Sequence, residues 1–414
     1  MFFFYKILTS LFFPFLIVYF FLRIFFKKET FNSFIQKIFI NHNAKNFSKL
    51  FWFHGSSIGE VKSVFPLIKY YLKKKSDLNI LITSSTLSSK KIIDIEFSGN
   101  KRVIHKFLPL DTIFHSKKFL KYWKPKAVFF IDSEIWPNFI SKIKSKKIPL
   151  ILLNGRTTEK TFKRWKSFSN FHKKIFSSFD LCVASSEISK QKFQILGIKN
   201  VKYFGNLKFI FDETIQKETV EKRINVGRKC WLAASTHEGE EEMCLQVHEL
   251  IKIKYPDILT IIIPRHIDRV KKLESKLKKF NNNVEITSDH NFIDTKSEIL
   301  IVNIFGVLPK FYRNLDNVFI GKSMMKKLVG EGGQNPLEAI QMGCKVYHGP
   351  YVYNFKEIYD FLKKNNMSKE INNSQDLANE IINNFQNPAK TPSSIESIGK
   401  DILNKTLKEL DSFL

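Results

Sequence analysis

Cysteine is scarce in this sequence, and the spacing of the few cysteines excludes two kinds of site. The 414 residues include four cysteines, and no pair has Cys-x-x-Cys spacing. A disulfide framework and a cysteine zinc site are therefore not expected, and the composition is typical of a reduced cytosolic compartment. The sequence also has no repeat of solenoid period and no dense cluster of Asp, Glu and His. It therefore predicts neither a repeat array nor a bound metal.

Acidic residues are in deficit. The chain has 67 Lys and Arg against 39 Asp and Glu, which gives a formal net charge of +28. Such an excess is typical of proteins that bind nucleic acid, an anionic membrane or an anionic substrate. The lysines are dispersed along the chain, and the 42 phenylalanines fit the composition that an AT-rich coding sequence produces. We attribute much of the charge to this bias and the remainder to an acidic membrane surface.

The N-terminal residues differ in composition from the rest. Residues 7–22 carry no charge, and Arg23, Lys27 and Lys28 follow them. This apolar run is slightly shorter than the roughly 20 residues of a spanning helix, and no small-residue cleavage site follows it. We predict an uncleaved anchor in residues 1–28 that spans the membrane or lies in its interface. The basic residues after it favour a cytoplasmic body.

The body of the chain alternates short apolar runs with segments of helical spacing, which predicts parallel sheets covered by helices. The length favours two domains. We therefore predict an α/β fold of two Rossmann-like domains that face a cleft, with ligands bound where strands lead into helices. The predicted domains are residues 29–211 and 212–394, followed by a closing helix over residues 395–414. The predicted strands are residues 51–54, 80–83, 128–131, 150–154, 181–184, 201–204, 230–234, 259–264, 298–304, 318–320 and 345–347.

Three groups of polar residues stand out in the first half. Glu60 opens a helix after the first predicted strand, where it could act as a general base or belong to a capping box with Ser57. Asp132 and Glu134 end the third apolar run, and they point the same way if that strand continues. Lys208 lies near the predicted seam, within reach of an anion in a cleft. The alternatives are ordinary loop acids and a solvated lysine.

In the second half, three predicted strand ends offer contacts to an anion or a nucleotide. Arg265 directly follows a strand, and residues 305–307 include a glycine that lets the backbone approach a ligand. Residues 317–343 read as strand, glycine-rich loop and helix. There Asn335 suits an N-cap, Pro336 the first helical position and Glu338 a capping box. The start of this helix is predicted to bind phosphate, although a well-capped helix alone explains the same residues. The acidic residues within 235–240 suit the first turn of another helix.

Taken together, these motifs resemble the 3-deoxy-D-manno-oct-2-ulosonic acid (Kdo) transferases of lipopolysaccharide synthesis, from the N-terminus to about residue 362. The resemblance implies a GT-B fold, CMP-Kdo as donor and a lipid A precursor, lipid IVA, as acceptor, on the cytoplasmic face of the inner membrane. Eight segments in the same order carry it: residues 54–60, 132–138, 154–156, 205–208, 235–240, 264–266, 332–338, and 349–350 with 354–355.

The resemblance also implies roles for individual residues. Glu60 corresponds to the general base, and Asp132 and Lys208 to positions that stabilise the transition state. No metal and no cofactor beyond the donor substrate are implied. Asp132 stands where the family commonly has Glu. Val307 replaces an acid that is common in the family, so the resemblance implies only backbone contacts with CMP at that position. The residues implied to contact CMP are Pro264, Arg265, Phe305, Gly306, Val307, Asn335, Pro336, Leu337 and Glu338.

Two other functions stay open at this point. One is a GT-B transferase that uses another nucleotide sugar, such as a UDP-hexose, and an assay of CMP-Kdo against UDP-sugars would separate it. The other is a basic membrane- or nucleic-acid-binding protein without catalysis. Nucleic acid is disfavoured as a partner because the basic residues are dispersed and no recognised binding module is present. The sequence does not indicate an oligomeric state.

Overall fold

A computed structural model describes residues 2–39, 47–210, 227–279, 283–288, 296–304, 306–388 and 394–413. The chain divides into two compact units. Unit 1 comprises Met1–Asp212 and Ser397–Leu414, and unit 2 comprises Glu213–Glu396. Within the described residues, each unit contains one sheet of seven strands, all paired in parallel. The parallel α/β architecture predicted from the alternating runs is present in both.

The sheet of unit 1 has the strand order β3-β2-β1-β4-β5-β6-β7. Its central strands are buried on both faces, which explains their continuous apolar runs. The order reverses between β1 and β4, which are hydrogen-bonded neighbours. The strands are β1 Lys49–His54, β2 Leu78–Ser84, β3 Val103–Phe107, β4 Ala127–Ile131, β5 Leu150–Gly155, β6 Leu181–Ala184 and β7 Val201–Tyr203.

Hydroxyl side chains begin many helices of unit 1. Ser57, Thr86, Thr112, Thr158 and Ser186 each accept a backbone N–H three residues ahead, which satisfies one amide of the first turn. The helices are α1 Phe2–Leu11, α2 Phe13–Phe25, α3 Phe31–Ile38, α4 Ile58–Lys74, α5 Leu87–Glu96, α6 Ile113–Trp123, α7 Pro137–Ser145, α8 Glu159–Ser167, α9 Ser169–Phe176 and α10 Glu187–Leu196.

The sheet of unit 2 has the order β10-β11-β9-β8-β12-β13-β14, and its order reverses between β8 and β12. Its strands are β8 Cys230–Thr236, β9 Leu259–Pro264, β10 Val284–Thr287, β11 Ile299–Val302, β12 Asn317–Ile320, β13 Lys345–His348 and β14 Ser368–Glu370. Its helices are α11 Glu240–Lys252, α12 Val270–Leu277, α13 Leu308–Tyr312, α14 Leu337–Gln341, α15 Lys356–Lys364 and α16 Ser374–Gln386.

The N-terminal apolar segment forms two helices instead of one. Pro14 near the start of α2 has no backbone N–H to extend the ladder of α1, and the two helices meet at an angle of 52°. Among the described residues, no single helix has the length and apolarity to cross a membrane, whereas this bent pair has them together. The pair also packs on the rest of unit 1, because the Tyr5 hydroxyl bonds to Asp111 and the Phe13 ring lies against the His115 ring.

A C-terminal helix, α17 Ser394–Asp411, completes unit 1. Gly399 lets it approach the chain closely, because an added Cβ there would lie 2.5 Å from the Phe209 carbonyl oxygen. Gly205 has the same effect from the other side, since its φ is +121° and an added Cβ would meet Ile402 at 2.4 Å. Asp411 accepts a bond from Lys74 in α4 at 2.6 Å. The C-terminal helix therefore packs on the rest of unit 1.

Candidate active site

The turn between β1 and α4 holds Glu60 by both of its carboxylate oxygens. The Ser57 hydroxyl donates to Oε1 at 2.8 Å, and the Ser56 amide donates to Oε2 at 2.6 Å. Gly55 makes this tight turn possible, because an added Cβ would lie 3.1 Å from the Glu60 Cβ and 3.2 Å from Ile131. The sequence offered a cap by Ser57 as the alternative to a catalytic role for Glu60. Ser57 does cap α4, and the Glu60 side chain is half-buried.

The segment after β4 bends sharply at Asp132. The strand ends at Ile131, and Asp132 has φ of +61°, in the left-handed region that non-glycine residues rarely adopt. The prediction that Asp132 and Glu134 follow an extended strand is therefore wrong. Asp132 is 6% exposed, and its Oδ2 lies 3.4 Å from the Lys208 Nζ. The structure thus places Asp132 and Lys208 side by side.

Two asparagines fix the position of Lys208 by accepting hydrogen bonds from the backbone around it. Asn206 accepts the Lys208 amide at 3.0 Å, and Asn154, at the end of β5, accepts the Leu207 amide at 2.9 Å. Asn154 also has a left-handed φ of +52°. These bonds fix the short 3₁₀ helix Leu207–Phe209 against the carboxyl end of the sheet. Lys208 is thereby held near Asp132, which the sequence did not predict as a pair.

Glu134 is held by two N–H donors that the sequence analysis did not connect with it. The Trp136 Nε1 donates to its Oε2 at 2.7 Å, and the Nε2 of buried His54 lies 3.0 Å from the same oxygen. Because a carboxylate oxygen accepts, we assign the ring proton to the His54 Nε2. The His54 Nδ1 lies 2.9 Å from the Thr83 hydroxyl. The pairing follows from the adjacency of β1 and β4, which the sequence does not display.

The electrostatics of this cluster shift the pKa values of Glu60 and Glu134 in opposite directions. Burial raises the pKa of Glu60, and the negative charges of Glu134 and Asp132 raise it further against the hydrogen bonds from Ser57 and Ser56. Burial also acts to raise the pKa of Glu134. The hydrogen bond and charge of His54 outweigh that effect and hold the pKa of Glu134 below its usual range. The pKa of Glu60 is therefore raised and the pKa of Glu134 is lowered. Opposite shifts of this kind are typical of neighbouring acids in an active site.

The predicted nucleotide contacts lie at strand ends of unit 2. Pro264 ends β9, and the exposed Arg265 follows it. Phe305 lies outside the described residues. Gly306 has a φ of +84° with open space where a Cβ would be, and Val307 is buried at the start of α13. An added Cβ at Gly306 would therefore meet no neighbour, whereas the Val307 side chain is buried and is not presented to a ligand.

The start of α14 carries the cap predicted at Asn335, although the helix begins at Leu337, one residue later than predicted. Asn335 is exposed, and its Oδ1 accepts the Leu337 amide at 3.1 Å. Gly332 and Gly333 hold the preceding loop against the backbone of Tyr351 and Val352, with no space for a Cβ at Gly332. Glu338 is half-buried in the first turn of α14.

Glu240 organises the strand ends of unit 2 in a way that sequence reasoning missed. It is fully buried, and its two carboxylate oxygens accept four backbone amides, those of His237, Lys322, Ser323 and Met324, at 2.7–3.0 Å. These amides follow β8 and β12, the strands at which the order of the sheet reverses. The acid was interpreted as a residue suited to a helix first turn, but it also ties two loops together.

A second polar group lies at the opposite, amino end of the unit 2 strands. One ligand atom each from His248, Glu249 and Glu298 lie within 4.8 Å of one another, a spacing that could hold a metal ion. Lys252 already pairs with Glu298 at 2.7 Å, and the His248 Nδ1 lies 2.9 Å from the Thr260 hydroxyl. The group is thus an internal ion-pair network, away from the strand ends that carry the candidate site.

Residues 31–211 match the family model described as 3-deoxy-D-manno-octulosonic-acid transferase (kdotransferase). The chain is 31% identical over 404 residues to the 3-deoxy-D-manno-octulosonic acid transferase of Rickettsia typhi, covering 94% of this chain and 86% of that one. It is 32% identical to the enzyme of the same name from Rickettsia prowazekii, over 88% and 78%. The chain belongs to the Kdo transferase family. The resemblance seen in the sequence is therefore confirmed, and the protein is a glycosyltransferase.

Solved structures agree with the family assignment at the level of fold. The chain is similar to a UDP-GlcNAc 2-epimerase from Neisseria meningitidis, with a TM-score of 0.61 and 16% identity over 87% of this chain and 100% of that one. It is also similar to HepE from Anabaena, with a TM-score of 0.54 and 13% identity over 88% and 100%. The predicted fold class, a GT-B-type pair of Rossmann-like α/β domains, is confirmed.

Proposed function

We propose that this Kdo transferase family member transfers Kdo from CMP-Kdo to a lipid A precursor, lipid IVA, with Glu60 as the general base. The observation that carries the proposal is the Glu60 carboxylate, half-buried beside Glu134 and Asp132 at the carboxyl ends of β1 and β4. Ligands of parallel α/β sheets bind where the strand order reverses. A carboxylate with a raised pKa there is suited to take a proton near neutral pH.

In the proposed reaction, an acceptor hydroxyl oxygen bonds to the anomeric carbon of Kdo while the bond from that carbon to the phosphate oxygen breaks. The hydroxyl proton passes to Glu60, and CMP leaves with the electron pair of the broken bond. Asp132 and Lys208, 3.4 Å apart, supply a fixed dipole beside the base. These groups are preorganised before the substrate binds, which is the condition under which they lower a barrier.

We assign the donor to unit 2. Arg265 is exposed directly after β9 and forms no side-chain hydrogen bond or ion pair with the described residues, so its guanidinium is available to the CMP phosphate. The backbone at Gly306 and the segment from Asn335 to Glu338 are the proposed contacts of the nucleoside, together with Pro264, Phe305 and Val307. Because the chain supplies its own cations, the proposed reaction uses no metal ion and no cofactor.

The N-terminal helices are proposed to hold the protein on the cytoplasmic face of the inner membrane. Their inward side is bonded to unit 1, whereas their outward side exposes large apolar residues, among them Phe4 at 72%, Phe15 at 69% and Phe25 at 80%. Lys27 and Lys28 follow directly and suit anionic headgroups. Flotation of the protein with anionic vesicles tests this membrane attachment. The triple variant Phe4→Ser, Phe15→Ser and Phe25→Ser should no longer float with the vesicles. The matched control is Ile188→Ser, Ile195→Ser and Ile253→Ser, three exposed residues elsewhere.

The deciding experiment is mass spectrometry of lipid IVA after incubation with the purified protein and a source of CMP-Kdo. We expect a mass increase of one or more Kdo residues, unchanged by EDTA. Parallel reactions with UDP-hexoses should give no product. Transfer from a UDP-hexose and not from CMP-Kdo would overturn the donor assignment. Transfer to another acceptor, with lipid IVA unmodified, would overturn the acceptor assignment.

A further inference from the structure

The amide of Ser56 makes one of the two hydrogen bonds that fix the Glu60 carboxylate. It donates to the Glu60 Oε2 at 2.6 Å, while the Ser57 hydroxyl donates to Oε1 at 2.8 Å. Ser57 is the cap of α4, whereas Ser56 precedes the helix. Because a peptide unit is planar, the direction of the Ser56 amide is set by the backbone around it. Contacts that fix Ser56 therefore help to fix the orientation of the Glu60 carboxylate.

Hydroxyl groups that follow the neighbouring strand β2 hold Ser56. The Ser89 hydroxyl donates to the Ser56 carbonyl oxygen at 3.1 Å, and the hydroxyls of Ser85 and Ser56 lie 2.9 Å apart. The Thr86 hydroxyl lies 2.7 Å from that of Ser89. Strands β1 and β2 pair in parallel, so the turns that follow them meet at the carboxyl end of the sheet. Ser56 is thus bonded through both its side chain and its carbonyl.

The cap of α5 does not explain these bonds. Thr86 caps the helix by accepting the Ser89 amide at 3.2 Å, which requires neither the Ser89 hydroxyl nor Ser85. Helix α10 of the same unit gives the comparison, because Ser186 accepts the Ser189 amide at 3.1 Å in the same way. Ser89 and Ser189 are both fully buried, but the Ser189 hydroxyl has no hydrogen-bond partner among the described residues. The bond from the Ser89 hydroxyl to the neighbouring turn is therefore additional to the cap.

Ser85 is itself fixed by helix α3. The Lys37 Nζ donates to the Ser85 carbonyl oxygen at 2.8 Å. Lys37 is 4% exposed and pairs with the buried Glu29 at 2.6 Å. The ammonium stays in this position because moving it away would leave a buried charge unpaired. The Ser85 hydroxyl therefore contacts Ser56 from a fixed backbone.

We propose that Ser85 and Ser89 are positioning residues for Glu60. By holding the side chain and the carbonyl of Ser56, they keep its amide directed at the Glu60 Oε2, so the carboxylate is oriented before the acceptor binds. The inference rests on the proposed role of Glu60 as the general base. A base takes up a proton efficiently only in the productive geometry, which supporting hydrogen bonds maintain. Both serines act through Ser56.

Ser89→Ala is the first test, with Ser189→Ala as its matched control. Both variants remove a fully buried hydroxyl from the same position of a capped helix, but only the first breaks a bond to Ser56. Measured below both melting temperatures, kcat should fall roughly two- to ten-fold in Ser89→Ala, the effect of one neutral hydrogen bond. It should stay at the wild-type value in Ser189→Ala. CMP affinity should be unchanged in both, because CMP is assigned to unit 2. Equal kcat values in the two variants would overturn the proposal.

A double-mutant cycle tests whether Ser85 acts through Ser56. Ser85→Ala should lower kcat by a similar factor, and Ser85→Thr, which keeps the hydroxyl, should restore it. Ser56→Ala keeps the amide that bonds to Glu60 but removes the hydroxyl that contacts Ser85. Adding Ser85→Ala to Ser56→Ala should cause no further loss, because both changes remove the same bond. Losses that multiply would overturn the assignment of Ser85.

Hydrogen exchange without substrate separates this inference from the proposed function. Deuterium uptake by peptides that cover Ser56 in the full-length protein, followed by mass spectrometry, reports how firmly its amide is held. Uptake should be faster in Ser89→Ala than in Ser189→Ala, and equal uptake would overturn the proposal. If Glu60→Gln keeps full turnover, the general-base assignment fails, whereas the effect of Ser89 on the Ser56 amide is measured independently of turnover.

Discussion

The Tyr5 hydroxyl in α1 donates a 2.8 Å hydrogen bond to the Oδ2 of Asp111, the residue just before the Thr112 cap of α6. The same carboxylate accepts the amides of Asn138 at 3.1 Å and Phe139 at 2.9 Å. These amides lie at the start of α7, directly after the segment that carries Asp132 and Glu134. Asp111 therefore links the N-terminal helix α1 to α7, the helix that follows the candidate-site segment. Helix α1 belongs to unit 1.

This bond gives a pH-dependent prediction for Tyr5→Phe. Burial raises the pKa of Asp111 to about 6, so the stability it contributes is full below its unfolded pKa of about 4. That stability is lost as pH rises through 6. The Tyr5 bond favours the ionised form and offsets part of this loss. Tyr5→Phe should cost about 1–2 kcal/mol at pH 8 and less at pH 5, measured by urea denaturation. Tyr353→Phe, at an exposed site, is the control, and an equal cost at both pH values would contradict the mechanism.

Glu60→Gln should reduce turnover by at least ~100-fold while leaving the fold and CMP binding intact. In the wild type, the raised pKa of Glu60 means that kcat/KM should fall as pH drops through a value above that of an ordinary glutamate. Steady-state rates from pH 5 to 9 and calorimetric CMP titration measure both effects. Glu96→Gln, which removes an acid paired with Lys69 elsewhere in unit 1, serves as the control, and near-normal turnover in Glu60→Gln would remove the base from the mechanism.

Arg265→Ala should weaken CMP binding by roughly 10- to 150-fold, the effect of losing a charged hydrogen-bond partner worth about 1.5–3 kcal/mol. Arg265→Lys should fall between, because it keeps the charge but loses the planar fork. Calorimetric titration of CMP is the measurement. Lys271→Ala, at an exposed position nearby in sequence, should bind CMP as the wild type does. Unchanged affinity in Arg265→Ala would place the phosphate elsewhere.

Glu240→Gln should destabilise unit 2 by about 1–3 kcal/mol. The amide group of Gln would oppose backbone N–H donors that now share a carboxylate. Glu238→Gln is the matched control two residues away, since that acid is exposed and only loosely paired with Lys327 at 3.9 Å. Differential scanning calorimetry should show a lower melting temperature for the first variant alone. Equal melting temperatures would mean that the loops do not depend on the carboxylate.

Most of the strands that the sequence predicted are buried on both faces, and the edge strand β7 is the exception. Phe51 to His54 in β1 and Leu259 to Pro264 in β9 are continuous apolar runs because helices cover both sides of them. The strands that were missed, β3, β10 and β14, lie at sheet edges. Edge strands are short and partly exposed, as the Ser-Lys-Glu sequence of β14 shows, so their residues carry little periodic signal.

Individual site residues could be predicted from the strand ends, but their partners could not. His54 and Glu134 are 80 residues apart and meet because β1 and β4 are neighbours in the sheet. Strand order is a property of the whole fold, and no local pattern encodes it. The cap at Asn335 could be predicted because it is local: its side chain accepts the amide of Leu337, two residues ahead.

The way in which α17 completes unit 1 has a consequence for how the protein is made. Residues 397–413 leave the ribosome after all of unit 2. In the folded protein they pack on a part of unit 1 that is made much earlier, with Ile402 against Gly205 and Gly399 against Phe209. Unit 2 is continuous in sequence, whereas unit 1, although most of it is synthesised first, is incomplete until residues 397–413 have emerged. During that interval the surface of unit 1 that contacts Ile402 and Gly399 stays uncovered in the nascent chain. A stop codon before residue 397 would therefore damage the N-terminal unit more than the unit it interrupts.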